Sequence, residues 1–156
     1  MNWEMNEKDF KEKSTVKNSF LSGKKGLLID DDSQMIDILS KYFATEGCYT
    51  EKALDGKLAL EKVNNNRFDF ILCDVNMPGM DGVTFYQQLK GIGSPYLDKV
   101  IFITGGTMDH EIQEFLKSIN NPLLDKPFGL DEVKEAIRRL LANSYTGVET
   151  LPVTGL

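Results

Sequence analysis

Short apolar runs alternate along the chain with segments in which apolar residues recur every three or four positions. The runs predict buried strands at 26–29, 48–54, 68–73, 100–103 and 122–124. The three-to-four spacing predicts amphipathic helices at 33–46, 55–66, 83–92, 109–119 and 130–141. This alternation is typical of an α/β fold whose parallel sheet is covered by helices on both faces.

Polar side chains stand where the predicted strands end. Asp30–Asp32 follow the first strand, Asp74 follows the third and Thr104 follows the fourth. The fifth strand runs into Asp125–Lys126. Because the carboxyl ends of parallel strands share one edge of the sheet, and ligands bind at that edge, we expect these side chains to converge.

The converging groups favour one kind of chemistry. Clustered carboxylates repel one another unless a cation is present or their pKa values rise, and oxygen ligands suit Mg²⁺ or Mn²⁺ better than zinc. Lys126 offers a point charge for phosphate oxygens, and the hydroxyl of Thr104 offers a hydrogen bond to the same group. Asp74 is then either a metal ligand or a nucleophile. The set points to metal-assisted phosphoryl transfer onto an aspartate.

Each residue taken alone has a simpler interpretation. Asp30–Asp32 can form a solvated turn that caps the helix beginning at Ser33, and for Asp32 this is the favoured interpretation. Lys126 alone would be an ordinary surface lysine, and Thr104 alone an ordinary strand residue. The functional prediction therefore depends on their placement together at strand ends.

The organised region covers 24–142, and we expect one domain there. Residues 1–23 mix acids with bases, and Phe20 and Leu21 are among too few apolar residues for a core, so a linker or N-terminal extension is expected. Residues 143–156 are polar and rich in glycine and proline, which predicts a flexible tail.

Charge and composition disfavour several classes of binding partner. The formal net charge is −6, with 24 acidic against 18 basic residues, which disfavours direct nucleic acid binding. The apolar runs are far too short for a membrane span, and residues 1–13 lack the apolar segment of a signal peptide. Cys48 and Cys73 form no metal-type pair and are expected as buried, reduced thiols. We therefore expect a cytoplasmic protein.

Four motifs in order carry a family resemblance. Residues 68–82, FDFILCDVNMPGMDG, resemble the central signature of receiver domains of two-component response regulators. The LLIDD of 27–31, the IT of 103–104 and the KPF of 126–128 resemble the other three motifs of that family. The resemblance covers about 24–141 and implies a flavodoxin-like, doubly wound (βα)5 sandwich with strand order 2-1-3-4-5.

The resemblance also implies residue roles. Asp74 would be the phosphoacceptor, Thr104 the switch hydroxyl and Lys126 the lysine that pairs with the phosphate. The metal, Mg²⁺ or Mn²⁺, would be held by Asp30, Asp31, Asp74 and the backbone carbonyl of Asn76. The phosphoryl donor would be a histidine on a histidine kinase or a histidine phosphotransfer domain.

The expected function is thus a signalling module rather than an enzyme, with a dimer through helix four, strand five and helix five as a further expectation. The segments 104–107 and 121–128 are similar to those of receivers appended to hybrid sensor kinases. One alternative is a receiver-like scaffold that is never phosphorylated. Another is a haloacid-dehalogenase-like phosphatase, but that family places an Asp-x-Asp pair after its first strand, and here Asn76 lies two residues beyond Asp74 on the third.

Two positions depart from the family pattern. Leu123 stands three residues before Lys126, where a switch tyrosine or phenylalanine is usual, and Gly105–Gly106 follow Thr104. We expect Leu123 to stay packed between the fifth strand and the fourth helix, and the glycine pair to be the part that moves. His110 is expected to be an exposed residue at the start of a helix.

Overall fold

The computed structural model describes residues 19–106 and 108–154, with only the backbone described for 144–154. Within these residues the strands are β1 (Lys25–Ile29), β2 (Tyr49–Ala53), β3 (Phe70–Asp74), β4 (Val100–Thr104) and β5 (Leu123–Asp125). The helices are α1 (Ser33–Thr45), α2 (Gly56–Asn65), α3 (Gly82–Gly91), α4 (His110–Ser118) and α5 (Leu130–Thr154). A 3-10 helix at Leu97–Lys99 precedes β4.

The described strands form one sheet in the order β2-β1-β3-β4-β5, and every neighbouring pair is parallel. This confirms the doubly wound, flavodoxin-like fold. Every residue of β3 and β4 is buried, which is why these strands are continuous apolar runs rather than alternating ones.

Apolar side chains pack on both faces of the sheet. On one face, α2, α3 and α4 contribute Ala59, Val63, Phe85, Leu89 and Leu116. On the other face, α1 and α5 contribute Ile36, Leu39, Phe43, Val133, Ile137 and Leu140. Cys48 and Cys73 lie buried as free thiols, one in each core, and burial raises the pKa of Cys48 to about 12. The expectation of buried thiols is confirmed.

Aspartate side chains cap the N-terminal ends of three helices. The carboxylate of Asp32 accepts hydrogen bonds from the backbone N–H groups of Gln34 and Met35 at the start of α1. Asp55 and Asp81 accept in the same way at the starts of α2 and α3. Such caps satisfy N–H groups that have no partner within the helix. The capping interpretation of Asp32 is confirmed.

The N-terminal boundary differs from the prediction. Leu21, expected in a linker, is wholly buried in the core between α1, α5 and the sheet. The N–H of Gly23 donates to the carbonyl of Gly47 at 2.9 Å, and Lys134 Nζ lies 5.9 Å from the centre of the Phe20 ring. A single apolar side chain completes a core that two helices have already built, so its burial has no periodic signal in the sequence. Residues 1–18 of the predicted linker lie outside the described residues.

Leu21→Ala should therefore destabilise the domain. Removing a fully buried leucine side chain costs about 2–5 kcal/mol, because the transfer energy is lost and a cavity remains. Urea unfolding of the variant measures this loss. Leu54→Ala is the matched control, since Leu54 is exposed and its truncation should cost less than about 1 kcal/mol. Equal costs for the two variants would place Leu21 outside the core.

The C-terminal segment also differs. The backbone of α5 continues to Thr154, across most of the range predicted as a tail from residue 143. Extending an established helix costs far less than nucleating one, and this favours continuation of α5 beyond residue 143.

Among the helices that the structure describes, none combines the length and the apolar character that a membrane span needs.

Candidate functional site

The strand register assembles the site at the carboxyl edge of the sheet. Ile29 pairs with Cys73, so Asp30, which follows β1, comes beside Asp74 at the end of β3. Thr104 pairs with Asp125 where β4 and β5 end, and Lys126 comes next. The predicted convergence of these side chains follows from this register, because all five strands point the same way.

Three carboxylates meet at this edge. One oxygen each from Asp30, Asp31 and Asp74 lies within 4.8 Å of the others. Asp30 and Asp74 are only 2% and 4% exposed, whereas Asp31 faces solvent. A cluster that is buried on one side and open on the other leaves room for a ligand to enter from solvent.

This arrangement disfavours the charged form of the Asp30 carboxyl group. Burial is the main cause that raises the pKa of Asp30 to about 6, and the negative charge of Asp74 acts in the same direction. The N–H of Asp32 donates to Oδ1 of Asp30 at 2.9 Å, which opposes the shift. Among the described residues, the buried Oδ2 of Asp30 has no hydrogen-bond partner. Such an oxygen is suited to a positively charged ligand.

Lys126 is the cation that faces the cluster. Its Nζ lies 3.5 Å from Oδ2 of Asp74 and 3.6 Å from Oδ2 of Asp30. Burial of Lys126 opposes its charged form, but attraction by Asp74 and Asp30 outweighs this and raises the pKa of Lys126. A Cβ at position 105 would lie 3.1 Å from Cβ of Lys126, so Gly105 gives the lysine stem the space it occupies.

The hydroxyl of Thr104 donates to a carboxylate oxygen of Asp125, and its oxygen also lies 3.4 Å from the carbonyl of Leu124. Thr104 is buried and Asp125 is exposed. This pair was not predicted from the sequence. The available signal was that each residue is the last of its strand and that β4 and β5 are neighbours.

Asn76 connects two loops of the site. Its side-chain amide donates to the carbonyl of Gly105 at 3.0 Å, and its backbone N–H donates to Oδ1 of Asp74 at 3.2 Å. The second bond orients the carboxylate of Asp74. The backbone carbonyl of Asn76 as a metal ligand stays a prediction.

Gly82 fits closely beneath the acidic cluster. A Cβ at this position would lie 2.6 Å from the backbone oxygen of Asp74. No flexible side chain is available to give way there, because the contacting atoms belong to the backbone of β3 and the residue after it. A glycine at the start of α3 therefore lets that helix approach the end of β3.

The expected packing of Leu123 is wrong. β5 is an edge strand, and its alternation buries Leu124 in the core on the face of the sheet that α1 and α5 cover, while Leu123 points to the other face. Leu123 is 47% exposed there instead of held between β5 and α4. The side chain of His110 is exposed at the first residue of α4, as expected.

The chain also matches the model of a known protein family. The model of the response regulator receiver domain matches residues 27–138. This chain belongs to the response regulator receiver domain family. The receiver domains are signalling modules of two-component systems, and the four motifs at the strand ends are thereby explained.

Similar proteins include both small and large ones. Sporulation initiation phosphotransferase F of Bacillus subtilis is 33% identical over 122 residues, which cover 78% of this chain and 96% of that protein. Transcription factor SKN7 of Chaetomium thermophilum is 32% identical over 132 residues, which cover 83% of this chain but 17% of that protein. The chain thus spans about a fifth or less of the SKN7 relatives that it matches.

A solved receiver domain has the same fold. The receiver domain of the Francisella response regulator 1452 superposes with a TM-score of 0.67 at 30% identity. The match covers 78% of this chain and 99% of that one. The similarity therefore extends over a whole receiver domain.

Proposed function

We propose that Asp74 accepts a phosphoryl group from a phosphohistidine of a histidine kinase or histidine phosphotransfer domain. The observation that carries this proposal is the meeting of Asp74 with Asp30, Asp31 and Lys126 at the open edge of the sheet. An acidic cluster with a facing lysine is unusual as a purely structural device, because burying carboxylates together is costly.

The proposed step exchanges one bond to phosphorus for another. A carboxylate oxygen of Asp74 attacks the phosphorus atom and forms a mixed anhydride. The P–N bond to the donor imidazole breaks, and the bonding electron pair stays on that nitrogen. The hydrogen bond from the N–H of Asn76 to Oδ1 of Asp74 leaves Oδ2 nearer to Lys126 as the oxygen that faces incoming phosphate.

The acidic cluster fits a magnesium ion. The donor set is oxygen only, and the buried Oδ2 of Asp30 lacks a hydrogen bond among the described residues, as a metal ligand would. Asp30, Asp31 and Asp74 would hold the ion, with the carbonyl of Asn76 as a further ligand. When bound there, Mg²⁺ would supply positive charge that stabilises the phosphoryl oxygens.

Lys126 and Thr104 complete the proposed site. The ammonium group of Lys126 moves from pairing with carboxylates to pairing with a phosphoryl oxygen, because transfer brings a group of about −1.5 to −2 charge onto Asp74. The hydroxyl of Thr104 donates a hydrogen bond to another phosphoryl oxygen. The movement of Thr104 passes the change to the backbone that follows β4.

Three further proposals accompany this function. We propose a dimer through α4, β5 and α5. We also propose a cytoplasmic location and an origin in a hybrid sensor kinase. All three agree with the family.

The proposed function is tested by incubating the protein with acetyl phosphate and Mg²⁺. A stable phosphorylated protein in the intact mass is expected. Continuous release of phosphate without a stable adduct would indicate a phosphatase. No reaction, together with no transfer from a panel of phosphorylated histidine phosphotransfer domains, would indicate a scaffold and overturn the proposal.

Asp31→Ala should raise the Mg²⁺ concentration needed for half-maximal labelling about tenfold or more, because one ionic ligand is lost. Titration of labelling against Mg²⁺ measures the effect. The metal-free variant should unfold no more easily than the parent, since carboxylate repulsion is relieved. Asp98→Ala, at the opposite edge of the sheet, is the control and should leave the titration unchanged. An unchanged titration for Asp31→Ala would remove Asp31 from the metal site.

Phosphorylation should move the loop after β4 more than it moves β5. Gly106 has a φ of 65°, and neither Gly105 nor Gly106 carries a side chain that restrains the backbone. Backbone amide signals of Thr104–Gly106 and 108–111 should therefore shift more than that of Leu123 when beryllofluoride is added. Larger shifts at Leu123 over an unchanged glycine pair would contradict this expectation.

A further inference from the structure

Asp125 holds the one hydrogen that Thr104 can donate. The hydroxyl of Thr104 points to Oδ1 of Asp125, its register partner on the neighbouring strand. The hydroxyl oxygen lies within hydrogen-bond reach of Asp125 and, at 3.4 Å, of the Leu124 carbonyl. Since Thr104 is buried, water does not compete for this hydrogen.

A hydroxyl group has a single hydrogen to donate. The proposed function requires that hydrogen for a phosphoryl oxygen at Asp74. It cannot be given to Asp125 at the same time. Both acceptors are anionic, and hydrogen bonds to charged acceptors are strong. The two possible hydrogen bonds of Thr104 are therefore of comparable strength.

We infer that Asp125 is a positioning residue that holds the Thr104 hydroxyl away from the phosphorylation site and thereby opposes the switch. This inference rests on the proposed function and adds a regulator of it. Phosphorylation must break the Thr104–Asp125 bond before the phosphoryl–Thr104 bond can form. The strength of that bond then sets how completely the phosphorylated domain adopts its switched arrangement.

The backbone bond between the ends of β4 and β5 limits the change at Thr104 itself to its side chain. The N–H of Lys126 donates to the carbonyl of Thr104 at 2.7 Å, which fixes the ends of β4 and β5 against each other. Rotation of Thr104 about its Cα–Cβ bond is therefore the simplest way to exchange the acceptors. The exposed carboxylate of Asp125 can turn to water once the hydrogen leaves, so its release leaves no buried charge unpaired.

The test uses beryllofluoride with excess Mg²⁺ as the phosphoryl mimic, titrated by calorimetry into the full chain. Asp125→Ala should bind the mimic about tenfold more tightly than the parent, because the strong resting bond to a carboxylate is gone and only the longer contact with the Leu124 carbonyl, at 3.4 Å, is left to break. Asp125→Asn, which keeps a neutral acceptor oxygen, should lie between the two. An unchanged or weaker affinity for Asp125→Ala would overturn the inference.

Loss of a negative charge would also favour an anionic ligand, and a double-mutant cycle separates the two causes. In a Thr104→Val background there is no hydroxyl to hold. The gain from Asp125→Ala should then shrink to less than about twofold. A gain that persists in full in this background is a general charge effect and would overturn the inference.

The resting state gives a second readout that does not depend on ligand. Three-bond couplings report the χ1 angle of Thr104, which should be a single rotamer in the parent and averaged in Asp125→Ala. One unchanged rotamer in the variant would contradict the positioning role. A parent that binds no beryllofluoride would overturn the proposed function together with this inference, whereas binding that requires Asp74 but ignores Asp125 would overturn the inference alone.

Discussion

Asp74→Asn is expected to abolish acceptance of a phosphoryl group while the domain stays folded. The amide oxygen of asparagine is a poor nucleophile, so labelling by acetyl phosphate should fall by about a thousandfold or more. The side chain keeps its size, and its oxygen can still accept the hydrogen bond from the N–H of Asn76. The negative charge of Asp74 contributes to the raised pKa of Asp30, so its removal relieves repulsion, and the free energy of unfolding should change by less than about 1 kcal/mol.

Asp32→Asn provides the matched control for this result. The substitution is chemically the same, and Asp32 lies two residues from Asp30, but its carboxylate caps α1. Asparagine caps helices about as well as aspartate, so both stability and labelling should persist. Full labelling of Asp74→Asn would mean that another residue is the acceptor.

Withdrawal of divalent cations should produce the second large effect. With Asp30 and Asp74 buried beside each other, an incoming phosphoryl dianion meets a site of the same sign, and Lys126 is the facing cation that the structure shows. A metal ion supplies several kcal/mol of charge stabilisation, and about 3 kcal/mol corresponds to about 100-fold in rate. Labelling by acetyl phosphate in excess chelator should therefore fall by about 100-fold.

Two controls make the metal result specific. Mg²⁺ or Mn²⁺ added in excess over the chelator should restore the rate of labelling. A potassium salt at equal ionic strength should not restore it. The circular dichroism spectrum should be the same with and without chelator, because the fold is built on two apolar cores. An undiminished rate in chelator would show that Lys126 alone offsets the charge.

The sequence contained enough to predict the fold and the central site. Buried strands are short apolar runs, and the topology of parallel strands brings their carboxyl ends together. Asp30 and Asp74 follow such runs directly, and Lys126 follows the last of them after one intervening residue, so their meeting could be predicted without knowledge of side-chain packing. Asp32 could likewise be assigned to the helix cap from its place before Ser33.

Other features depend on which side chains meet across the fold. Leu21 is buried because α1 and α5 leave a space beside the sheet, and Leu123 is exposed because it lies on the outer face of an edge strand. The bonds from Thr104 to Asp125 and from Asn76 to Gly105 depend on rotamers and on loop conformations. The spacing of apolar residues does not predict these two bonds, since each joins residues that are distant in sequence.

The most direct test of Asp74 as the phosphoacceptor is to locate the phosphoryl group itself. After reaction with acetyl phosphate and Mg²⁺, borohydride reduces an aspartyl phosphate to homoserine, and peptide mass spectrometry shows which residue has changed. We expect homoserine at position 74, with Asp30 and Asp31 intact. Homoserine at another position, or none in a protein that carries the added phosphoryl mass, would contradict the assignment of Asp74 as the acceptor.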